Sequence, residues 1–120
     1  MKAIALSLVH VGINPETAEE MDAMRGFIRD VLGMEEGQET PISWFGAGNR
    51  IEFMKEKGRG TKGHLGFYTP DMDQAIRELK AQGCSFDQDS AQYDEDGSLR
   101  LIYLTEEING FAIHLLSRES

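Results

Sequence analysis

The chain has 120 residues, enough for one compact domain or for two small modules sharing a core. Its hydrophobic fraction of 40% is that of an ordinary globular protein, and no apolar run approaches the ~20 residues of a membrane-spanning helix. A net charge of −9 argues against a nucleic-acid surface, which needs a basic stripe, and disfavours highly anionic substrates unless local cations override it.

The first apolar run, Met1 to Val9, is too short for a secretory leader, ends at His10, and has no small-residue cleavage site after it. It reads as a buried strand that continues through His10-Val11-Gly12-Ile13. Asn14 can cap a helix there, with Pro15 at a first-turn position. Met21, Met24, Ile28 and Val31 recur at helical spacing, supported by Phe27 and Leu32, and Gly33 is a natural stop. Glu16, Glu19 and Glu20 suit a solvated, dipole-favourable helix start. Two or three strands follow, the last of them Arg50-Ile51-Glu52-Phe53-Met54. Gly58-Arg59-Gly60 is a joint without periodicity, and the basic residues Lys55, Lys57, Arg59 and Lys62 are read as solvating it.

The second half starts over. His64-Leu65-Gly66-Phe67 repeats the pattern of His10 to Ile13: histidine, apolar, glycine, apolar, then a turn with proline. Met72, Ala75, Ile76 and Leu79 form an i, i+3, i+4, i+7 stripe, stopped at Gly83. Cys84 reads as a small core residue; a single cysteine cannot close an internal disulfide, which fits a reducing cytoplasm. Asp94-Glu95-Asp96-Gly97 suits a hairpin turn. The closing strand, Ala112-Ile113-His114-Leu115-Leu116, matches Arg50–Met54 in placing one polar residue inside an apolar run. The expected architecture is α+β: two βαβββ modules, about 1–57 and 60–120, forming a concave, partly open sheet with the helices on its outer face.

Strand side chains alternate between faces. On one face stand Leu6, Leu8, His10 and Gly12; then Arg50, Glu52 and Met54; then His64, Gly66 and Tyr68; then Ala112, His114 and Leu116. The other face of each strand is bulky and apolar and belongs under the helices. Three histidines, all the chain has, and one glutamate thus take equivalent mid-strand positions. Such groups are costly in apolar surroundings unless paired or metal-bound. Together His10, Glu52, His64 and His114 make a nitrogen and oxygen ligand set for one divalent ion, zinc or nickel ahead of iron or manganese. The alternative for each histidine is a hydrogen-bonded core or surface residue. Trp44 and Tyr103 are either pocket walls or core packing.

The two-module plan, the His-x-Gly opening strands and the phrase His64-Leu65-Gly66-Phe67-Tyr68-Thr69-Pro70-Asp71-Met72-Asp73-Gln74-Ala75 resemble the vicinal-oxygen-chelate (glyoxalase/bleomycin-resistance/dioxygenase) superfamily over nearly the whole chain. In its metal-dependent members, the resemblance implies, ligands come from the opening and closing strands of both modules, the positions of His10, Glu52, His64 and His114. Many members carry a carboxylate where His114 stands, and Glu106-Glu107-Ile108-Asn109-Gly110 replaces the usual Asp-Pro-x-Gly turn. The runs His10 to Asn14, Asp89-Ser90-Ala91-Gln92-Tyr93-Asp94 and Gly110 to Leu115 are also similar to a module fused behind 2-keto-3-deoxy-6-phosphogluconate aldolase-type domains.

Three functions follow as expectations. One is a metal-dependent lyase, isomerase or epimerase, acting on a small keto-, hydroxy- or sugar acid by bidentate chelation, with Glu52 as ligand and proton acceptor. The second is a resistance-type protein that binds a small molecule without chemistry. The third is an accessory module of an aldolase-type enzyme. A small-molecule substrate, a homodimer closing the open sheet, and neither nucleic acid nor membrane are the expected partners.

Overall fold

The computed structural model describes residues 4–119; Met1, Lys2 and Ala3, at the head of the expected first strand, and Ser120 lie outside the described residues. The elements run β1 (Ser7–Ile13), α1 (Ala18–Gly26), a π-helical turn (Phe27–Val31), β2 (Ser43–Gly46), β3 (Ile51–Met54), β4 (Gly63–Tyr68), α2 (Met72–Ala81), β5 (Phe86–Tyr93), β6 (Leu99–Leu104) and β7 (Phe111–Leu116). No helix among them is long and apolar enough to cross a membrane.

Seven strands form one open sheet in the order β2-β3-β1-β4-β7-β6-β5. The two opening strands, β1 and β4, pair antiparallel at its centre. Each is flanked by the closing strand of its own half, parallel in both cases: β1 by β3 and β4 by β7. The two halves are therefore joined edge to edge within one chain. The first half has one strand fewer. Between helix and β2, Gly37 to Thr40 hydrogen-bond to β2, but only Glu39 makes a bridge, to Trp44. Pro41, which has no N–H to offer, ends the pairing.

The bulky strand faces do lie under the helices. Met21 and Ile28 pack with Phe53, Ile13 and Ile51, and Met72 and Ala75 pack with Ile102, Leu115 and Phe67. Helix α1 differs from its expected form in two ways. Its cap is Thr17, whose hydroxyl accepts from Glu20 N. Asn14 instead ties down the joint, donating to Gly60 O at 2.8 Å and accepting from Gly58 N at 2.9 Å. The ladder also widens after Gly26, Leu32 N donating to Phe27 O. That extra residue per turn rotates the stripe, so Met21 and Ile28 are buried while Phe27, Val31 and Leu32 are exposed. Helix α2 keeps its expected stripe and is capped by Asp71, which accepts from Gln74 N.

Candidate metal centre

The paired registers explain why each opening strand reads His-x-Gly. His10 stands opposite Gly66, and His64 opposite Gly12. On the parallel sides, Gly12 is level with Glu52, and Gly66 with His114. Large and absent side chains thus alternate across four adjacent strands. One row reads Glu52, Gly12, His64, Ala112; the next reads His10, Gly66, His114 and, on β6, Tyr103. The rings lean over the glycines: a Cβ at Gly12 would lie 2.0 Å from His64 Cε1, and one at Gly66 would lie 2.8 Å from His114 Nε2 and 2.9 Å from His10 Cε1. Neither glycine was singled out above as a site residue, although the repeated spacing marks both.

The four polar side chains of that face converge. His10 Nε2 is 3.2 Å from His64 Nε2, His64 Nε2 is 2.9 Å from Glu52 Oε1, and His10 Nε2 is 3.5 Å from the same oxygen. His114 joins from the far side, one nitrogen from each of the three histidines lying within 4.8 Å of the others. All four are between 2 and 9% exposed. Donor atoms bound tetrahedrally at ~2.0–2.2 Å are separated by roughly 3.3 Å, so the spacing among His10, His64 and Glu52 is that of ligands around one ion.

Charge points the same way. Burial, and then the neighbouring His64, hold His10 below the usual imidazole range, against an opposing pull from Glu52. Burial pushes His114 down to about 2, with His64 and His10 adding to it. Burial also raises the Glu52 carboxyl, but hydrogen bonds from His64 and Ser43 and the nearby imidazoles outweigh it, leaving the group below its ordinary value. At neutral pH, neutral His10 and His114 therefore face an anionic Glu52. No protein group hydrogen-bonds either ring nitrogen of His114, or Nδ1 of His64, although these atoms are buried. An imidazole buried with its donor and acceptor both unmatched costs about 1–3 kcal/mol. The donor set, its spacing and these unmatched nitrogens fit a divalent cation.

Glu52 is aimed by a hydroxyl pair on and beside β2. Ser43, fully buried, donates through Oγ to Glu52 Oε2 at 2.7 Å, and its Oγ is 2.8 Å from Thr40 Oγ1. This leaves Oε1 for the histidines. Ser43→Ala strips a buried carboxylate oxygen of its donor. Thermal melts should show a loss of about 1.5–3 kcal/mol, and competition with a chelator should show metal affinity reduced roughly 10–100-fold. Unchanged affinity would mean that Ser43 does not aim Glu52.

The site opens into a cleft of about 680 Å³ whose walls include Phe45, Ile42, Leu101, Leu116 and Tyr103. A side lobe of about 200 Å³ shares His10, Phe45, Gln92, Arg100 and Leu101 with it. Tyr103 stacks on His114, centroids 4.6 Å apart, as a pocket wall. Burial, then Glu52, pushes its phenol up to about 12. Trp44 is not brought to the site. Alternation along β2 sends Ser43 and Phe45 inward and Trp44 to the helix side, against the Met21 cluster and 3.9 Å from the Arg25 guanidinium carbon. Phe45 takes the wall position, edge-on to His10 at 5.8 Å. Leu8 also changes faces. Leu8 pairs with Phe67 and His10 with Gly66, so Val9 is an extra residue, a β-bulge that puts Val9 beside His10 in the side lobe. Arg59, read above as linker solvation, lines the cleft instead, its guanidinium 4.5 Å over the Tyr103 ring and paired with Asp87.

No known family profile matches the sequence, and no curated protein matches it. Solved structures do. A hypothetical protein from Bacillus halodurans C-125 superposes with a TM-score of 0.66 at 16% identity, over 97% of this chain and 96% of that one. Methylmalonyl-CoA epimerase from Mycobacterium tuberculosis gives a TM-score of 0.60 at 20% identity, over 97% and 89%. A methylmalonyl-CoA epimerase in complex with methylmalonyl-CoA and NH4+ gives 0.53 at 17%, over 93% and 94%. At such identities the likeness is one of fold: the chain shares the fold of these structures.

Proposed function

We propose that this protein is a metal-dependent, glyoxalase-like enzyme that moves a proton at a carbon next to a carbonyl, in a small keto-, hydroxy- or sugar acid. The observation that carries the reading is the convergence of His10, Glu52 and His64 at ligand spacing beside His114, whose buried ring nitrogens find no protein partner. These four residues would hold the ion. A divalent ion bound there supplies a Lewis acid for two neighbouring substrate oxygens.

The residues of the chain account for the rest. Glu52 is ionised; Ser43 holds its Oε2, and Oε1, the oxygen beside His64 and His10, is the one that would take the proton. The C–H bond of the substrate breaks, its proton passes to Glu52, and the electron pair moves onto the carbonyl oxygen. Return of that proton from Glu52 to the neighbouring carbon gives an isomer; an epimer would need a proton delivered to the opposite face by a water molecule, with Glu52 giving its own proton back to solvent. Phe45, Leu101, Leu116 and Tyr103 keep bulk water from that carbon. Two of the solved neighbours are epimerases, which fits this reaction type.

Elemental analysis of untagged protein, purified without chelator or reconstituted with zinc, nickel, iron or manganese, tests the reading. About one ion per chain is expected. Protein that takes up none of the four would turn the reading to a binding protein that uses the cleft alone.

A further inference from the structure

The metal reading leaves one end of the cleft without a role. There, β5 and β6 fall out of step: Tyr93 pairs with Leu99, but Gln92 pairs with Leu101. One step along β5 answers two along β6, so Arg100 is the inserted residue of a second β-bulge. Regular alternation would set Arg100 on the face opposite Leu101, with Ile102, which is in the α2 core. The bulge instead turns it to the Leu101 side, and Arg100 lines both the main cleft and the side lobe. Its Nη2 donates to Gln92 Oε1 at 2.9 Å, which orients the guanidinium. Two other arginines of these walls are engaged with carboxylates, Arg59 with Asp87 and Arg118 with Asp94. Among the described residues, no carboxylate pairs with Arg100.

We infer that Arg100, turned into the cleft by the bulge and oriented by Gln92, anchors a carboxylate of the substrate. Arg100 also borders an exposed groove with Asp94, Glu95 and Asp96 but is ion-paired with none of them, and its planar fork matches a carboxylate. Leu101 pairs with Leu116 in the row between Arg100 and the Tyr103–His114 pair, so the ligand has an apolar stretch next to its acid group. Combined with the proposed metal centre, on which this last step alone rests, the substrate class is a 2-oxo or 2-hydroxy diacid. Its vicinal oxygens face the histidines and its far carboxylate faces Arg100. A single unpaired guanidinium suits the one charge of a carboxylate better than the two of a phosphate monoester.

The anchor is tested apart from the metal. Protein treated with chelator is titrated with hexanoate, 1-hexanol and hexyl phosphate, and binding is read from the NMR shifts of the Leu101 and Leu116 methyls. Hexanoate should bind about tenfold more tightly than the alcohol. Arg100→Met should abolish that preference while leaving the alcohol unaffected, and Arg100→Lys should keep part of it. Equal binding of acid and alcohol, a preference that survives Arg100→Met, or hexyl phosphate as the best ligand would overturn the anchor. Zinc-loaded protein is then given 2-oxoadipate and 2-oxohexanoate; a preference for the diacid that Arg100→Met removes extends the anchor to the substrate class. An anchor that holds in protein that binds no zinc would leave Arg100 standing and remove the metal reading.

Discussion

Gly12→Ala is expected to disable the metal site while leaving the fold in place. The backbone at Gly12 is outside the left-handed region, so alanine meets no conformational penalty there. The penalty is spatial. The new Cβ would sit 2.0, 2.3 and 2.4 Å from Cε1, Nδ1 and Nε2 of His64, inside the ring rather than beside the end of a flexible chain. The ring must swing away, and Nε2 loses its place next to Glu52 and His10. A displacement of about 1 Å in a site held to ~0.5 Å is worth roughly a hundredfold, so zinc affinity by chelator competition should fall at least that far. Overpacking should cost about 1–3 kcal/mol in a thermal melt. Gly66→Ala should be milder, because its nearest contacts are 2.8, 2.9 and 3.1 Å. Gly26→Ala is the control: helical backbone, with only Arg29 Nη2 at 3.7 Å, and no effect on zinc. Wild-type affinity in Gly12→Ala would show that the His64 ring position is immaterial to the site.

The site was legible in the sequence because alternation is a local rule. A polar residue at the same place in four apolar strands puts His10, Glu52, His64 and His114 on one face, wherever the strands go. What depends on a neighbouring strand was not legible. The phase of β2 decides whether Ser43 or Trp44 faces Glu52, and Ser-Trp-Phe-Gly contains no periodic signal long enough to set it. The bulges at Val9 and Arg100 exist only as mismatches of register with β4 and β5. The chain before them reads as regular strand, which is why Leu8 was placed beside His10. Asn14, the expected cap of α1, instead satisfies two backbone groups of the joint with its amide, and Thr17, one residue before the helix, takes the cap. The glycines of the His-x-Gly motifs were visible as a repeat, and the crossed pairing of β1 with β4 supplies their reason.

The last prediction separates a residue kept for function from one kept for stability. His114→Leu should give a metal-free protein more stable than the wild type and unable to hold the ion. The ring is 2% exposed with neither nitrogen hydrogen-bonded, so an apolar side chain of similar size removes an unmatched polar group. About 1–3 kcal/mol should be gained at pH 7 in the presence of chelator, a rise of several degrees in Tm for a chain of this length. Acid should widen the gap. In the folded protein burial keeps the His114 ring neutral down to about pH 2, whereas in the unfolded chain it takes up a proton near its ordinary 6.5. Below that pH the unfolded state binds one more proton than the folded state. This contribution to stability is fully present above pH 6.5 and is lost, as the pH falls, at up to roughly 1.4 kcal/mol per unit. His10, also held low, adds to the wild-type loss in the same direction. Melts of both proteins between pH 7 and 5 should therefore diverge, with the wild type falling more steeply by about one proton. A His114→Leu protein less stable than the wild type throughout would mean that the ring is held by the fold for packing against Tyr103, and the main support for a metal at this centre would be gone.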